Sequence, residues 1–223
     1  MISNILVDIG NTHTKWKFEG EYYILPTEKF DFKRLPESSK IWVSNVSNKS
    51  FNVSSNSVIF VNSQEIYKTL INAYSEPMSL GSDRWLGMIA SYELSEGESF
   101  VLIDIGTAIT IDIVNNFGTH LGGLIFPGLD KLRQTFNNFP VSSKGYANKL
   151  GKSTEKAWSN GTLSLIVNTI NQKINEIKNE TPDISIFITG GGYQLLQSSL
   201  NFPHKYYENL VIDGLGYYAK YMG

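Results

Sequence analysis

Residues Ile5-Leu6-Val7-Asp8-Ile9-Gly10-Asn11-Thr12 decide the fold, because Val101-Leu102-Ile103-Asp104-Ile105-Gly106-Thr107 repeats their pattern with the two aspartates 96 residues apart. Each is an apolar β-type run that stops at a carboxylate and a glycine. Each then passes through a short polar turn into a second run of strand type, His13 to Phe18 in the first copy and Ile109 to Val114 in the second. Both read as β-hairpins. The matched Asp, Gly and following Thr favour duplication over chance, and predict two lobes of related fold, residues 1–98 and 99–223.

The rest of the chain is consistent with two α/β layers. Ser44 to Ser57, where ten of fourteen residues are Ser or Asn, reads as loop or weak edge strand, too polar to bury. Ser63 is placed to cap a helix from Gln64 to about Tyr74, stopped by Pro77, and Asp83 to begin another running to about Leu94. Gly122 to Gly128 is a glycine-bracketed strand and turn. Helices are predicted over Leu129 to Phe136, Thr154 to about Ile177 with Ser153 as cap, Tyr193 to Leu200, and Asp213 to Tyr221. Ile184 to Ile188 reads as a buried strand. Strands alternating with helices in each half argue for α/β architecture.

Composition bounds the function. Of 223 residues, 41% are hydrophobic and 18% charged, which is globular composition. With 19 basic and 21 acidic side chains the net charge is −2, so no general cationic field attracts nucleic acid or anionic lipid. The absence of cysteine removes disulfides, thiolate nucleophiles and Cys-ligated metal sites. The amino terminus has no basic region and too short an apolar run for a signal peptide, and nothing approaches a membrane span, so a cytoplasmic protein is expected.

Several constellations could carry chemistry. Gly151-Lys152-Ser153-Thr154 has the tail of a P-loop, but Tyr146 stands where that motif needs glycine, so the P-loop reading is rejected. A Ser/Thr pair at a helix start remains, able to cap the helix or hold a polar ligand. The two hairpin turns present backbone N–H groups and hydroxyls together, as a polyphosphate cradle would, with Lys15 adding positive charge. Asp8 and Asp104, each ending an apolar strand, need a donor, a basic side chain or a cation. Each turn taken alone equally fits an Asx-type turn with a structural aspartate. In Gly81-Ser82-Asp83-Arg84 the carboxylate could serve as a base and the guanidinium could hold an anion, or the pair could be an N-cap with a surface ion pair. Thr189-Gly190-Gly191-Gly192 suits close approach to a flat ligand, or simple packing. His13, His120 and His204 lack ligand spacing and read as structural.

Taken in order, Asp8 to Thr12 with Lys15, Gly81 to Arg84, Asp104 to Ala108, Gly122-Gly123 with Pro127-Gly128, and Ser153-Thr154 make this sequence resemble the type III pantothenate kinases. The resemblance implies two ribonuclease-H-like lobes of the actin and hexokinase superfamily with a nucleotide cleft between them. It implies that Asp8, Ile9, Gly10, Asn11, Thr12, His13, Thr14 and Lys15 form the first phosphate-binding hairpin, that Thr107 lies in the second ATP-contacting turn, and that Asp104 is the ligand of a monovalent cation, K⁺ or NH₄⁺. Tyr74, Gly81, Ser82, Asp83, Arg84 and Thr154 match pantothenate-contacting positions, with Asp83 the catalytic proton acceptor. ATP, Mg²⁺ and a homodimer are implied as well. His13 and Trp16 have no place in that family's pattern. A kinase for another small hydroxyl substrate, or a non-catalytic Baf-type accessory regulator, would share the fold.

Overall fold

The computed structural model describes residues 4–37, 40–51, 57–142 and 145–222. Residues 1–3, 52–56 and 143–144, which enter the readings of the amino terminus, the polar stretch and the P-loop segment, lie outside the described residues. The chain is mixed α/β. It divides into two compact units, one of residues 1–99, 112–122 and 209–223, the other of residues 100–111 and 123–208.

The first sheet contains β1 (Ile5–Ile9), β2 (His13–Phe18), β3 (Glu21–Pro26), β4 (Ile41–Asn45) and β5 (Val58–Phe60) in the spatial order β3-β2-β1-β4-β5. A small hairpin follows, β6 (Ile66–Tyr67) and β7 (Leu70–Ile71), then helix α1 (Ser82–Ser95). The second sheet contains β8 (Phe100–Ile105), β9 (Ala108–Val114), β10 (His120–Pro127), β11 (Ser185–Thr189) and β12 (Lys205–Tyr206) in the order β10-β9-β8-β11-β12. Renumbered from its own first strand, that order is again 3-2-1-4-5. The repeated hairpin in the sequence is thus the start of a repeated five-stranded sheet.

Within the first unit, β1 alternates as a half-buried strand should. Ile5, Val7 and Ile9 are buried with Trp16, Phe30 and Val43 on one face. Leu6 and Asp8 fall on the other. Trp16, unplaced from the sequence, is a core residue stacked on Tyr23 with ring centroids 5.3 Å apart, and His13 sits exposed in the turn. Helix α5 (Leu210–Met222) packs against α1, and the two backbones meet at Gly214, where a Cβ would run into the Leu86 carbonyl.

Two sequence expectations fail in this unit for physical reasons. Ser44 does not lie in a loop or at an edge. It belongs to β4, which pairs parallel with β1 through Ile5↔Ile41 to Ile9↔Asn45. Its hydroxyl can be buried because the Ser82 hydroxyl lies 3.0 Å away as a partner. The helix expected from Gln64 to Tyr74 is instead the β6–β7 hairpin, paired through Tyr67↔Leu70 and turned at Lys68, whose φ is +52°. Buried Tyr67 and Leu70 stand three apart, a spacing that one helical turn and a two-residue hairpin share. Ser63 caps nothing; its hydroxyl donates to the Leu80 carbonyl at 2.8 Å.

In the second unit, β8 pairs parallel with β11, and β11 with β12. Helix α2 is shorter than expected (Leu129–Arg133), and α3 longer (Thr154–Glu180), with the Ser153 hydroxyl accepting the Lys156 N–H at the expected cap. Helix α4 (Tyr193–Leu196) runs on only as a 3₁₀ turn to Ser199. The final helix α5 begins at Leu210, three residues before the expected Asp213.

Candidate active site

The first turn is built from the top of the β1–β2 hairpin. Asp8 is in register with Lys15 and Ile9 with Thr14. The Gly10 N–H donates to the His13 carbonyl at 3.0 Å, closing the turn and leaving Asn11, Thr12 and His13 exposed at its tip. Thr14 is not at the surface: its hydroxyl is buried 3.1 Å from that of Thr27, which donates onward to the Gly10 carbonyl at 2.7 Å. Thr14 therefore braces the turn from beneath. Lys15 donates to Asn209 Oδ1 at 3.4 Å.

The second turn, at the top of β8 and β9, is closed in the same way, with the Gly106 N–H donating to the Ala108 carbonyl at 3.0 Å. Gly106 and Thr107 are exposed. Two glycine N–H groups hold this turn from outside: Gly128 donates to the Thr107 carbonyl at 2.9 Å and Gly192 to the Ile105 carbonyl at 2.8 Å. A Cβ on Gly128 would strike the Gly106 and Thr107 carbonyls, and one on Gly190, whose φ is +97°, would strike Asp104 Oδ1 and the Ile105 carbonyl. Gly190 and Gly192 thus approach protein backbone, whereas Gly191 faces open space. Thr154, the first residue of α3, is exposed.

The start of α1 carries the third group. Gly81 precedes the helix, Ser82 is buried against Ser44, and Asp83 sits in the first turn with its Oδ1 accepting the Arg84 N–H at 2.7 Å. Burial pushes the Asp83 carboxyl above the usual carboxylate range, against the pull of the Arg84 N–H and guanidinium. A carboxylate so raised is a better proton acceptor than a solvated one.

Arg84 is not the surface ion pair that the sequence allows. Its Nε donates to Asp112 Oδ2 at 3.0 Å, its Nη2 to Asp112 Oδ1 at 2.6 Å and its Nη1 to the Tyr74 hydroxyl at 3.0 Å. The guanidinium is 9% exposed and Asp112 not at all. The guanidinium stays charged: the Asp112 and Tyr74 contacts raise its pKa against the opposing effect of burial. Tyr74 is presented by a loop that Asn72 ties together, donating to the Gln64 and Pro77 carbonyls and accepting the Tyr74 N–H.

The structure therefore brings Tyr74, Ser82, Asp83 and Arg84 together in the first unit and sets out the hairpin residues Asp8 to Lys15 in that same unit. Thr107, Asp104 and Thr154 belong to the second unit. Two members of the Arg84 cluster, Asp112 and His120, were not singled out in the sequence as site residues. The signal for Asp112 was present: a carboxylate inside the apolar run Ile-Thr-Ile-Asp-Ile-Val needs a partner as much as Asp8 does. For His120 nothing local distinguishes a site residue from a core histidine.

The family model for type III pantothenate kinase matches residues 4–176. A type III pantothenate kinase of Pseudoalteromonas translucida is 37% identical over 153 residues, a match covering 66% of this chain and 63% of that relative, less than two thirds of its own length. One of a Marinomonas strain is 31% identical over 236 residues, covering 94% of this chain and 92% of the relative. Among solved structures, a protein described as a Baf family transcriptional activator of Campylobacter jejuni superimposes with a TM-score of 0.69 at 24% identity, over 97% of both chains, a likeness that shows the fold alone. The repeated sheet order, the two Asp-x-Gly turns and a family match spanning both of them agree, and this chain belongs to the type III pantothenate kinase family.

Proposed function

We propose that the chain is an ATP-dependent kinase that phosphorylates the primary hydroxyl of pantothenate to give 4'-phosphopantothenate, the first step of coenzyme A biosynthesis. The observation that carries the reading is the Asp83–Arg84 pair at the start of α1: a carboxylate raised by burial, fixed at 2.7 Å by the Arg84 N–H, beside a buried guanidinium. Asp83 would accept the hydroxyl proton as the substrate oxygen forms its bond to the γ-phosphorus. The bond from that phosphorus to the bridging oxygen breaks, and ADP leaves. The N–H groups and hydroxyls at Gly10 to Thr12 and Thr107, with Lys15, would hold the phosphates in line. Phosphoryl transfer depends on such positioning and on charge stabilisation.

Bound Mg²⁺ offsets charge on the transferring group, and a monovalent cation, K⁺ or NH₄⁺, at Asp104 would screen the phosphates. The Asp104 carboxylate and the Ile105 carbonyl, which both lie close to Gly190, are hard oxygen donors of the kind that would suit such a cation. Among the described residues no group of three or more His, Asp or Glu side chains could hold a metal alone. Nucleotide oxygens and backbone carbonyls would complete the coordination.

Tyr74 and Arg84 would contact pantothenate beside Gly81 and Ser82, with Thr154 contributing a hydroxyl. A homodimer is in keeping with the exposed apolar side chains of the second unit, among them Ile125, Leu150 and Leu165. A cytoplasmic setting accords with the substrates, and among the described residues no helix is long and apolar enough to cross a membrane. Phosphorus NMR of a reaction with pantothenate, ATP and Mg²⁺ tests the assignment. A new phosphomonoester resonance alongside ADP supports it, and a phosphoester formed only with another polyol replaces the substrate.

A further inference from the structure

We infer that Asp112 and His120 are positioning residues for the acceptor substrate: together they lock the Arg84 guanidinium and the Tyr74 ring into one arrangement against which pantothenate binds. The inference rests on the kinase reading above.

The four side chains close a ring, all within the first unit. Arg84 reaches Asp112 through Nε and Nη2, and Tyr74 through Nη1. Asp112 Oδ1 also lies 3.0 Å from His120 Nε2. The other nitrogen of that ring, Nδ1, accepts the Ala73 N–H at 3.4 Å, so the tautomer that serves both contacts carries its proton on Nε2 and donates it to Asp112. The imidazole also lies parallel to the Tyr74 ring, with centroids 6.3 Å apart and planes 9° apart. His120 therefore touches both groups that hold Arg84, the carboxylate through a hydrogen bond and the tyrosine through its face. It also fixes the backbone at Ala73, one residue before that tyrosine.

This is more than an ion pair needs for stability. A guanidinium has five N–H groups, and three are used here, leaving one on each terminal nitrogen for a ligand. A buried pair gains little over apolar residues of similar volume, because desolvation offsets the attraction. What the ring does supply is orientation. An arginine pinned at all three nitrogens cannot rotate about its long stem, so its two remaining N–H groups keep fixed directions. His120 is 1% exposed, meets no solvent and acts only through its neighbours.

The test compares His120→Ala with His120→Gln, whose amide can replace both hydrogen bonds, donating to Asp112 and accepting from Ala73. Loss of orientation should raise the pantothenate KM of His120→Ala about ten-fold, with the ATP KM and kcat within about three-fold of wild type, since small misplacements alone cost up to about 10²-fold. His120→Gln should bring the pantothenate KM back toward wild type. An unchanged pantothenate KM in His120→Ala, or equal changes in both KM values unrescued by Gln, overturns the inference and leaves a packing role. The Arg84 Nε–H resonance of isotope-labelled protein, read without substrate, separates this from failure of the kinase reading. Exchange about ten-fold faster in His120→Ala than in wild type and His120→Gln keeps the inference even if pantothenate is not the acceptor, because an Asp112 carboxylate that has lost its His120 hydrogen bond holds the Arg84 Nε–H less firmly and lets it open to exchange. Equal exchange in all three proteins overturns it.

Discussion

Asp112 grips Arg84 side-on through two hydrogen bonds, 3.0 Å from Nε to Oδ2 and 2.6 Å from Nη2 to Oδ1, with the carboxylate wholly buried. The two residues lie on β9 and α1, 28 positions apart, so the pair joins the strand that follows the second turn to the helix that carries Asp83. Removing one partner leaves a buried charge uncompensated. Asp112→Ala should lower unfolding stability by about 3–5 kcal/mol, read from urea or thermal melts. A change under about 1 kcal/mol would mean that the guanidinium finds water in the variant.

Asp83→Asn should lower kcat by about 10²–10⁴-fold while leaving ATP binding in place, because it would remove the proposed general base and no proposed phosphate contact. Steady-state rates with ATP titrated by fluorescence competition would check both halves. Turnover like that of wild type would remove Asp83 from the role of proton acceptor.

The raised pKa of Asp83 gives a pH dependence with a definite sign. Its folded value lies above its unfolded value, so its contribution to stability is fully present below the unfolded pKa and is lost as pH rises through the folded one. The ionised carboxylate that the proposed proton transfer would need is thus bought with stability, and Asp83→Asn should melt higher than wild type at neutral pH. In wild type, kcat/KM should fall on the acid side at a pH above the usual carboxylate range, and calorimetry with pH–rate profiles would read both effects. A variant that melts lower, or an acid limb at or below that range, contradicts the assignment.

Gly214→Ala sets two effects against each other. Alanine favours a helix interior by about 1 kcal/mol over glycine. At this position, however, its methyl group meets the Leu86 carbonyl where α1 and α5 touch, and overpacking of this kind costs about 1–3 kcal/mol or more. The clash should win, lowering the melting temperature. A rise would show that the two helices can move apart freely.

Gly128→Ala should act on the nucleotide. A methyl group there displaces the Thr107 turn from its bond to the Gly128 N–H, so the ATP KM should rise with little change for pantothenate. Equal changes in both KM values would point to a general loss of structure instead.

The parts of the fold that were legible in the sequence were those with a strong local signature. The Asp-x-Gly hairpins, α1, and α3 with its Ser153 cap carry periodicity and punctuation that act within a few residues. β4 was hidden because Ser44 and Asn45 are polar, and only the distant Ser82 makes burial of Ser44 tolerable. The β6–β7 hairpin was hidden by an i, i+3 spacing that suits either structure. The same limit applies at the site. Tyr74, Asp83 and Arg84 stand close in sequence and form a recognisable set, whereas Asp112 on β9 meets Arg84 only in the folded chain, and the pairing of β9 with β10 then brings His120 to Asp112.

The most direct test of the account is ADP release by the purified protein with ATP and Mg²⁺, measured with and without pantothenate and with K⁺ replaced by Na⁺, beside the Asp83→Asn variant. The account predicts ADP release that requires pantothenate, is faster in K⁺ than in Na⁺, and nearly vanishes in the variant. ADP release that ignores pantothenate, or that survives intact in Asp83→Asn, would contradict it.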